Sequence, residues 1–392
     1  MIFSELQSQL DERAALGLLR SRRTISGPQG TQLVVDGKPY LSFCSNDYLG
    51  LASHPQLVEA LKLGAERYGV GAGAAHLVSG HFEAHEQLEN ELAAFVDKPA
   101  ALLFSTGYMA NLGVVQALTG RGDTVFADKL NHASLNDAML LSRATVRRYR
   151  HNDMEQLAAM LIETKRGRKL ILTDAVFSMD GDRAPLAALL ALCEQYDAWL
   201  LVDDAHGFGV SGEQGRGSLF AQAPLPSGEG LGWGKRIIYM ATLGKAAGVS
   251  GAFVAAEQVV IDTLINNARS YVYTTATPPA LSVALLESLR LITGGDALRT
   301  HLQKLIVQLR KGLHGLPWTL MESSTAIQPL VIGDNQAALD LSHALRDRGI
   351  WVAAIRPPTV PAGTARLRIT LSSAHTAADV KCLTEALHEL AR

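Results

Sequence analysis

Ile237-Ile238-Tyr239-Met240-Ala241-Thr242-Leu243-Gly244-Lys245-Ala246-Ala247-Gly248 carries five apolar residues into a threonine and then sets one lysine among small and apolar neighbours. The apolar run has the length of a buried strand, and the lysine stands just past its end. Desolvation disfavours an ammonium, so a lysine kept from water is pushed toward its neutral amine, which is a nucleophile. Taken alone, Lys245 reads more plainly as a solvated loop lysine, since lysine is rarely buried without a reason. The other strand ends decide between the two readings.

Working outward, short apolar runs recur between residues 100 and 255: Ala101-Leu102-Leu103-Phe104, Thr124-Val125-Phe126, Leu170-Ile171-Leu172, Trp199-Leu200-Leu201-Val202 and Ala252-Phe253-Val254. Helical spacing fills the intervals. Strands that are apolar at successive positions are buried on both faces, which predicts an α/β protein with a mostly parallel sheet covered by helices. Ligands sit at the carboxyl ends of such strands. Ser105-Thr106-Gly107-Tyr108, Ser178, Asp203-Asp204-Ala205-His206, and Thr242 with Lys245 all fall there.

A chain of 392 residues is too long for one compact core. The expected division is an N-terminal helix and hairpin over 1–50, a large domain over 51–285 and a smaller C-terminal α/β domain over 286–392. With 47% hydrophobic residues, 19% charged and a net charge of −2, the chain lacks the field that nucleic acid or an acidic membrane surface would require. Cys44, Cys193 and Cys382 are odd in number and far apart, which suits free thiols in a reducing compartment and excludes a cysteine-rich zinc site. No secretory signal is recognised, and the longest apolar runs, such as Leu186 to Cys193, fall short of the roughly 20 residues that span a bilayer. A cytoplasmic protein is expected.

Along the chain, residues 1–24 read as an amphipathic helix ending in Arg20, Arg22 and Arg23. Asp36-Gly37 between apolar runs signals a hairpin. Ser45-Asn46-Asp47-Tyr48-Leu49-Gly50 is a polar, aromatic, glycine-ended loop, and Pro55 to Tyr68 is a helix with Ser53 as its cap. Gly69, Gly71 and Ala74 imitate a dinucleotide fingerprint, but the run follows a helix where that fingerprint must follow a strand. His81 and His85 are placed on a helix surface, with no third metal ligand apparent nearby. Ala223 to Trp233, rich in Pro and Gly, reads as an exposed loop.

A strand-end lysine that makes covalent use of its amine points to a Schiff base with an aldehyde cofactor, and pyridoxal phosphate fits. Its ring nitrogen needs a fixed carboxylate, which Asp203 can supply, although Asp203 alone reads equally well as a turn or cap aspartate. Asp204 must point the other way by strand alternation. His206 stands near enough to meet the ring oxygen. Thr106-Gly107-Tyr108 opens a helix whose first amides can hold a phosphate.

These motifs, in order, resemble the α-oxoamine synthases, a pyridoxal-phosphate family with the aspartate-aminotransferase fold (fold type I). The matching runs are Ser45 to Gly50, Asn131-His132-Ala133-Ser134, Val202 to Gly207, Thr242 to Lys245 and Arg366-Leu367-Arg368. Ile355 to Pro361 and Ala326 to Leu330 resemble the branch that joins L-alanine to a pimeloyl thioester, on coenzyme A or a carrier protein, in biotin synthesis. The resemblance implies that Lys245 binds the cofactor and moves the α-proton, and that Asp203 protonates its ring. It puts His132 on the ring face, Ser178 and His206 on the ring oxygen, and Gly107, Tyr108 and Thr242 on the phosphate. Asn46 and Arg368 would meet the amino acid's carboxylate, and Arg20 the acyl substrate. Thr274 and Thr275 would reach the phosphate of a neighbouring subunit, which implies a homodimer with sites at its interface.

His76 stands where the family often has arginine, and Ala75 where glycine-specific relatives making 5-aminolevulinate have threonine. The small residue favours alanine by the space of one methyl group. Glycine C-acetyltransferases and 5-aminolevulinate synthases keep the same cofactor residues and differ in the acyl pocket, while non-catalytic relatives lack the lysine.

Overall fold

In the computed structural model, which describes residues 3–221 and 234–392, the chain opens with helix α1 (Ser4–Ala15), a short strand β1 (Ile25–Ser26) and the hairpin of β2 (Gln32–Val35) and β3 (Lys38–Ser42). Asp36 (φ 49°) and Gly37 (φ 79°) both adopt the left-handed conformation that a two-residue turn needs to match strand twist. Helix α1 is shorter than the 1–24 expected. Gly17 takes φ 65°, and the Leu18 amide donates to Arg13 O at 2.8 Å, which closes the helix in a left-handed cap. The basic cluster therefore stands beyond the helix rather than at its end, with Arg23 paired to Asp36 at 3.0 Å.

Leu49–Ser178 and Arg183–Arg299 form one compact unit. Helix α2 (Pro55–Tyr68) is capped by His54, which accepts the Gln56 amide, and not by Ser53. A proline at the first helical position makes the residue before it the cap. A single π turn at His76–Gly80 leads to α3 (Glu83–Phe95). There follow β4 (Ala100–Phe104), α4 (Gly107–Leu118), β5 (Thr124–Asp128), α5 (Ala133–Ser142), β6 (Thr145–Tyr149), α6 (Met154–Glu163), β7 (Lys169–Asp174), α7 (Leu186–Tyr196) and β8 (Trp199–Asp203). β9 (Ile237–Thr242), β10 (Ala252–Ala256), α8 (Gln258–Asn267), α9 (Arg269–Val272) and α10 (Pro279–Thr293) complete it.

The strands lie in the order β4-β10-β9-β8-β7-β5-β6. β10 runs antiparallel to both neighbours, and β9, β8, β7, β5 and β6 run parallel. Every residue of β5 and β10 is buried, the mark of a sheet covered on both faces. β6 was not anticipated, because its Thr-Val-Arg-Arg-Tyr sequence leaves two arginines at the sheet's edge. Charge there protects an open edge from further pairing. Leu102, Val114, Leu135, Leu170 and Ile238 belong to one apolar cluster between helices and sheet. Truncating such a leucine to alanine typically costs about 2–5 kcal/mol. The expected loop from Ala223 to Trp233 lies outside the described residues.

The other unit joins the chain up to Tyr48 with Met179–Asp182 and Thr300–Arg392. Its later elements are α11 (Asp296–Gly312), β11 (Thr319–Leu320), β12 (Ile327–Gly333), α12 (Asn335–Asp347), β13 (Ile350–Trp351), β14 (Ala353–Ile355), β15 (Ala365–Thr370) and α13 (Ala377–Leu390). β12 and β15 form the centre of the antiparallel sheet β11-β12-β15-β14, while β13 pairs with β3 of the N-terminal hairpin. That pairing puts the first segment and the C-terminal residues in one unit instead of two. The division between the units falls at Arg299/Thr300, in α11, whereas a boundary at 285/286 would cut α10.

Candidate functional site

The first unit gathers its chemistry at the carboxyl ends of β7, β8 and β9. Lys245 leaves β9 by a tight turn and its Nζ stands 2.9 Å from His206 Nε2, in the turn after β8. Between two such nitrogens one proton is shared, so the imidazole holds the amine in a fixed direction. Asp203 ends β8, buried at 4% exposure. Its Oδ1 accepts the Ala205 amide at 3.0 Å and its Oδ2 the Asn111 side chain at 2.8 Å.

Asp204 points away, as strand alternation requires. Its Oδ2 accepts the Ser218 amide at 2.6 Å and the Tyr239 hydroxyl at 2.9 Å, and burial pushes its pKa up to about 6. Its work is to hold the 3-10 turn at Ser218–Ala221 against β9.

His132 caps α5, and its Nδ1 accepts the Ser134 amide at 3.2 Å. The Ser134 hydroxyl lies 2.8 Å from the same nitrogen and accepts from Asn111 Nδ2 at 2.9 Å, so its own hydrogen is free to point at His132. That leaves the neutral ring's hydrogen on Nε2. Burial lowers the His132 pKa, with the Asp203 carboxylate opposing and the Lys245 charge assisting. Asn111 thus links the carboxylate of β8 to the imidazole of α5. Sequence reasoning passed over Asn111 and quoted Ser134 only within a run; an asparagine inside the apolar helix from Gly107 to Leu118 was the available signal.

Asp174 was also missed, although it ends β7 just as Asp203 ends β8. Its Oδ2 accepts the His132 amide at 2.7 Å. Burial first, and the Asp203 charge second, push its carboxyl well above the usual range.

At the start of α4 the amides of Gly107 and Tyr108 have no acceptor within the helix. A Cβ built on Gly107 would lie 3.9 Å from the Thr242 Cβ, so the expected phosphate-holding residues are neighbours. Thr106 caps the helix by accepting the Met109 amide. The Thr242 hydroxyl donates to Gly251 O at 3.0 Å, and the Tyr108 hydroxyl bonds Asp137. Ser178 is half-buried, four residues past the end of β7. Thr274 and Thr275 lie between α9 and α10 in a segment whose Ala276 amide donates to Ala74 O at 3.0 Å, beside the glycine-rich run.

His81 and His85 do not lie together on a helix surface. His81 precedes α3, His85 is fully buried on it, and His76 joins both, with its Nδ1 3.0 Å from that of His81. The turn at His76–Gly80 brings the third imidazole back, which linear spacing did not reveal.

In the second unit Arg368, buried at 7% exposure, donates to Asn46 Oδ1 at 3.2 Å and Thr370 Oγ1 at 2.9 Å. Arg20 Nη2 donates to Thr359 Oγ1 at 3.0 Å, which adds a residue that sequence reasoning had only quoted within a run. Arg366 is occupied structurally, 2.6 Å from Asp180.

The sequence matches the family Aminotransferase class I and II over residues 38–387. It is 59% identical over 391 residues to the 8-amino-7-oxononanoate synthase of Nitrosomonas europaea, covering 100% of both chains. It is 61% identical to that of Nitrosospira multiformis, covering 99% of this chain and 96% of the relative. Among solved structures, the serine palmitoyltransferase of Sphingomonas wittichii matches with TM-score 0.92 and 29% identity over 99% of this chain and 98% of the other. A serine palmitoyltransferase described with PLP as an internal aldimine matches at TM-score 0.91 and 29% identity, covering 99% and 96%.

Proposed function

The chain belongs to the class I and II aminotransferases and, among them, to the 8-amino-7-oxononanoate synthase family, and from that membership we infer that it condenses L-alanine with a pimeloyl thioester. The products are 8-amino-7-oxononanoate, carbon dioxide and the free thiol carrier. The observation that carries the reading is the pairing of a strand-end lysine, Lys245, with His206 beside the buried carboxylate of Asp203.

Pyridoxal phosphate is the cofactor, and the donor set fits it. Asp203 has both oxygens directed by N–H donors, α4 opens with amides that have no acceptor within the helix, and the Lys245 amine stands 2.9 Å from His206 Nε2. When bound, the cofactor supplies an aldehyde for an amine and an electron-withdrawing ring that stabilises charge at the substrate's α-carbon.

The chain's own residues do the rest. Lys245 would hold the cofactor at its aldehyde, and its amine would carry the proton removed from and returned to the substrate's α-carbon. Asp203 keeps a proton on the ring nitrogen. His132, with its hydrogen on Nε2, would lie against the ring face. Ser178 and His206 would hold the ring oxygen, and Gly107, Tyr108 and Thr242 would hold the phosphate. Arg368 with Asn46 takes the alanine carboxylate, because a guanidinium fork pairs both oxygens. Arg20 with Thr359 meets the acyl chain's polar end. Thr274 and Thr275 serve the phosphate of a second copy, which makes the working protein a homodimer. Its compartment is the cytoplasm, a reading supported by three free cysteines. Among the described residues no helix is long and apolar enough to cross a membrane.

The test is thiol release from pimeloyl-CoA by the cofactor-loaded protein, with L-alanine and glycine in parallel and acetyl-CoA and succinyl-CoA as controls. Release with alanine and pimeloyl-CoA alone supports the assignment. Preference for glycine with a shorter thioester would sink it and favour a different member of the wider family.

A further inference from the structure

The first unit brings together three imidazoles, none of them in the Lys245 group. His76 opens the π turn, His81 follows it and His85 lies on α3. One ligating nitrogen from each lies within 4.8 Å of the other two. His76 Nδ1 and His81 Nδ1 are 3.0 Å apart. Two nitrogens on one tetrahedral zinc ion, each at its usual bond length, lie about 3.3 Å apart, so these rings need part only slightly to share an ion.

Their outer nitrogens are arranged in the same sense. An imidazole that binds a metal typically donates its other N–H to a carboxylate or a backbone carbonyl, which fixes the tautomer and ring direction. His81 Nε2 is 3.1 Å from Glu86 Oε2, and His85 Nε2 is 2.9 Å from Thr277 O. A carbonyl only accepts, so His85 carries its hydrogen on Nε2, and its Nδ1 is an acceptor that now takes the Phe82 amide. His81 Nε2 likewise faces a carboxylate oxygen, which turns its Nδ1 inward toward His76. His76 is held flat against Tyr271, with ring centroids 5.1 Å apart and planes 9° from parallel, so its direction is fixed by stacking.

We propose that His76, His81 and His85 form a site for a divalent metal ion of borderline softness, with zinc as its first candidate. Imidazole ligands suit zinc, cobalt and nickel over magnesium or calcium. His76 moves its hydrogen to Nε2 on binding, and His85 exchanges the Phe82 amide, now 3.0 Å from its Nδ1, for the ion. That amide bond is a neutral contact at a helix start, and coordination replaces it. The His81 side chain keeps 30% of its surface, so an ion reaches the group from solvent and water completes the tetrahedron. The bound ion ties the turn after the glycine-rich run to α3 and, through His85, to Thr277.

The experiment uses the pyridoxal-phosphate-loaded protein after dialysis against a chelator. Zinc is titrated by calorimetry, and cobalt serves as a visible-absorption probe of tetrahedral geometry. The expected result is one ion per chain, tetrahedral cobalt bands and a higher thermal midpoint with zinc. His81→Ala and His76→Gln should each abolish the cobalt bands, Glu86→Gln should weaken binding about 10–100-fold, and His54→Ala should leave it unchanged. His85 is fully buried, so its replacement is not used. Absence of stoichiometric binding, or equal binding by wild type and His81→Ala, overturns the proposal and leaves a hydrogen-bonded histidine cluster only.

Discussion

Asp174 and Asp203 are register partners at the carboxyl ends of neighbouring parallel strands, and they carry different partners. Asp203 accepts Asn111 Nδ2 and the Ala205 amide, while Asp174 accepts the His132 amide and is pushed toward its neutral acid by burial and by Asp203. Burial and the neighbouring Asp203 charge favour the neutral acid at Asp174, which gives the two carboxyls different tasks.

Asp174→Asn, which keeps the neutral acceptor, should therefore fold and retain activity within a few-fold. Asp174→Ala orphans the His132 amide and should cost about 1–3 kcal/mol of stability. Asp203→Asn should instead lower turnover by about 10²–10⁴, the scale of a lost proton-holding group. Urea unfolding and steady-state kinetics on the three variants separate these outcomes, and equal kinetic loss in both asparagine variants would refute the division of labour.

Asp204 makes a stability prediction with a definite sign. Burial raises its pKa from 3.8 to about 6, so the folded state binds more protons than the unfolded state between those values. Stability contributed by this group is lost as pH rises through that window and is level above it. Asp204→Asn removes the slope. Relative to wild type, the variant should gain up to about 3 kcal/mol between pH 4 and 6 and no more at higher pH. Urea midpoints across that range read the difference directly.

Arg368 presents a buried guanidinium on β15 beside Asn46. Removing a charged hydrogen-bond donor costs about 1.5–3 kcal/mol. Arg368→Ala should accordingly lower kcat/KM for L-alanine by about 10–150-fold while leaving the KM for pimeloyl-CoA nearly unchanged. An equal rise in both KM values would remove the carboxylate role.

Ala75 precedes the π turn with φ −67° and ψ 155°, an extended backbone that a β-branched residue adopts readily. Ala75→Thr should fold normally and shift the alanine-to-glycine preference toward glycine by about 10–200-fold, the worth of one methylene's space. Competition between the two amino acids in one assay gives the ratio; no shift would place the alanine methyl elsewhere.

Much of the sheet was legible because its strands are buried on both faces, and a run such as Ile237 to Ala241 has no other use for so many apolar residues. The Asp36-Gly37 turn was legible because few residues accept two successive left-handed positions. β6 was not, since an edge strand carrying Arg147 and Arg148 lacks an apolar pattern, and the end of α1 was hidden in a single glycine.

The chain itself determined which polar residues stand past strand ends, because a lysine, an aspartate and a histidine at such positions are local features set by strand length and turn composition. Tertiary structure alone decided which atoms face which. The Asn111 link between His132 and Asp203, the repulsion between Asp174 and Asp203, and the meeting of His76 with His81 and His85 depend on strand register, helix rotation and one π turn. Those relations arise from packing between elements, and residue spacing along a chain does not encode them in readable form.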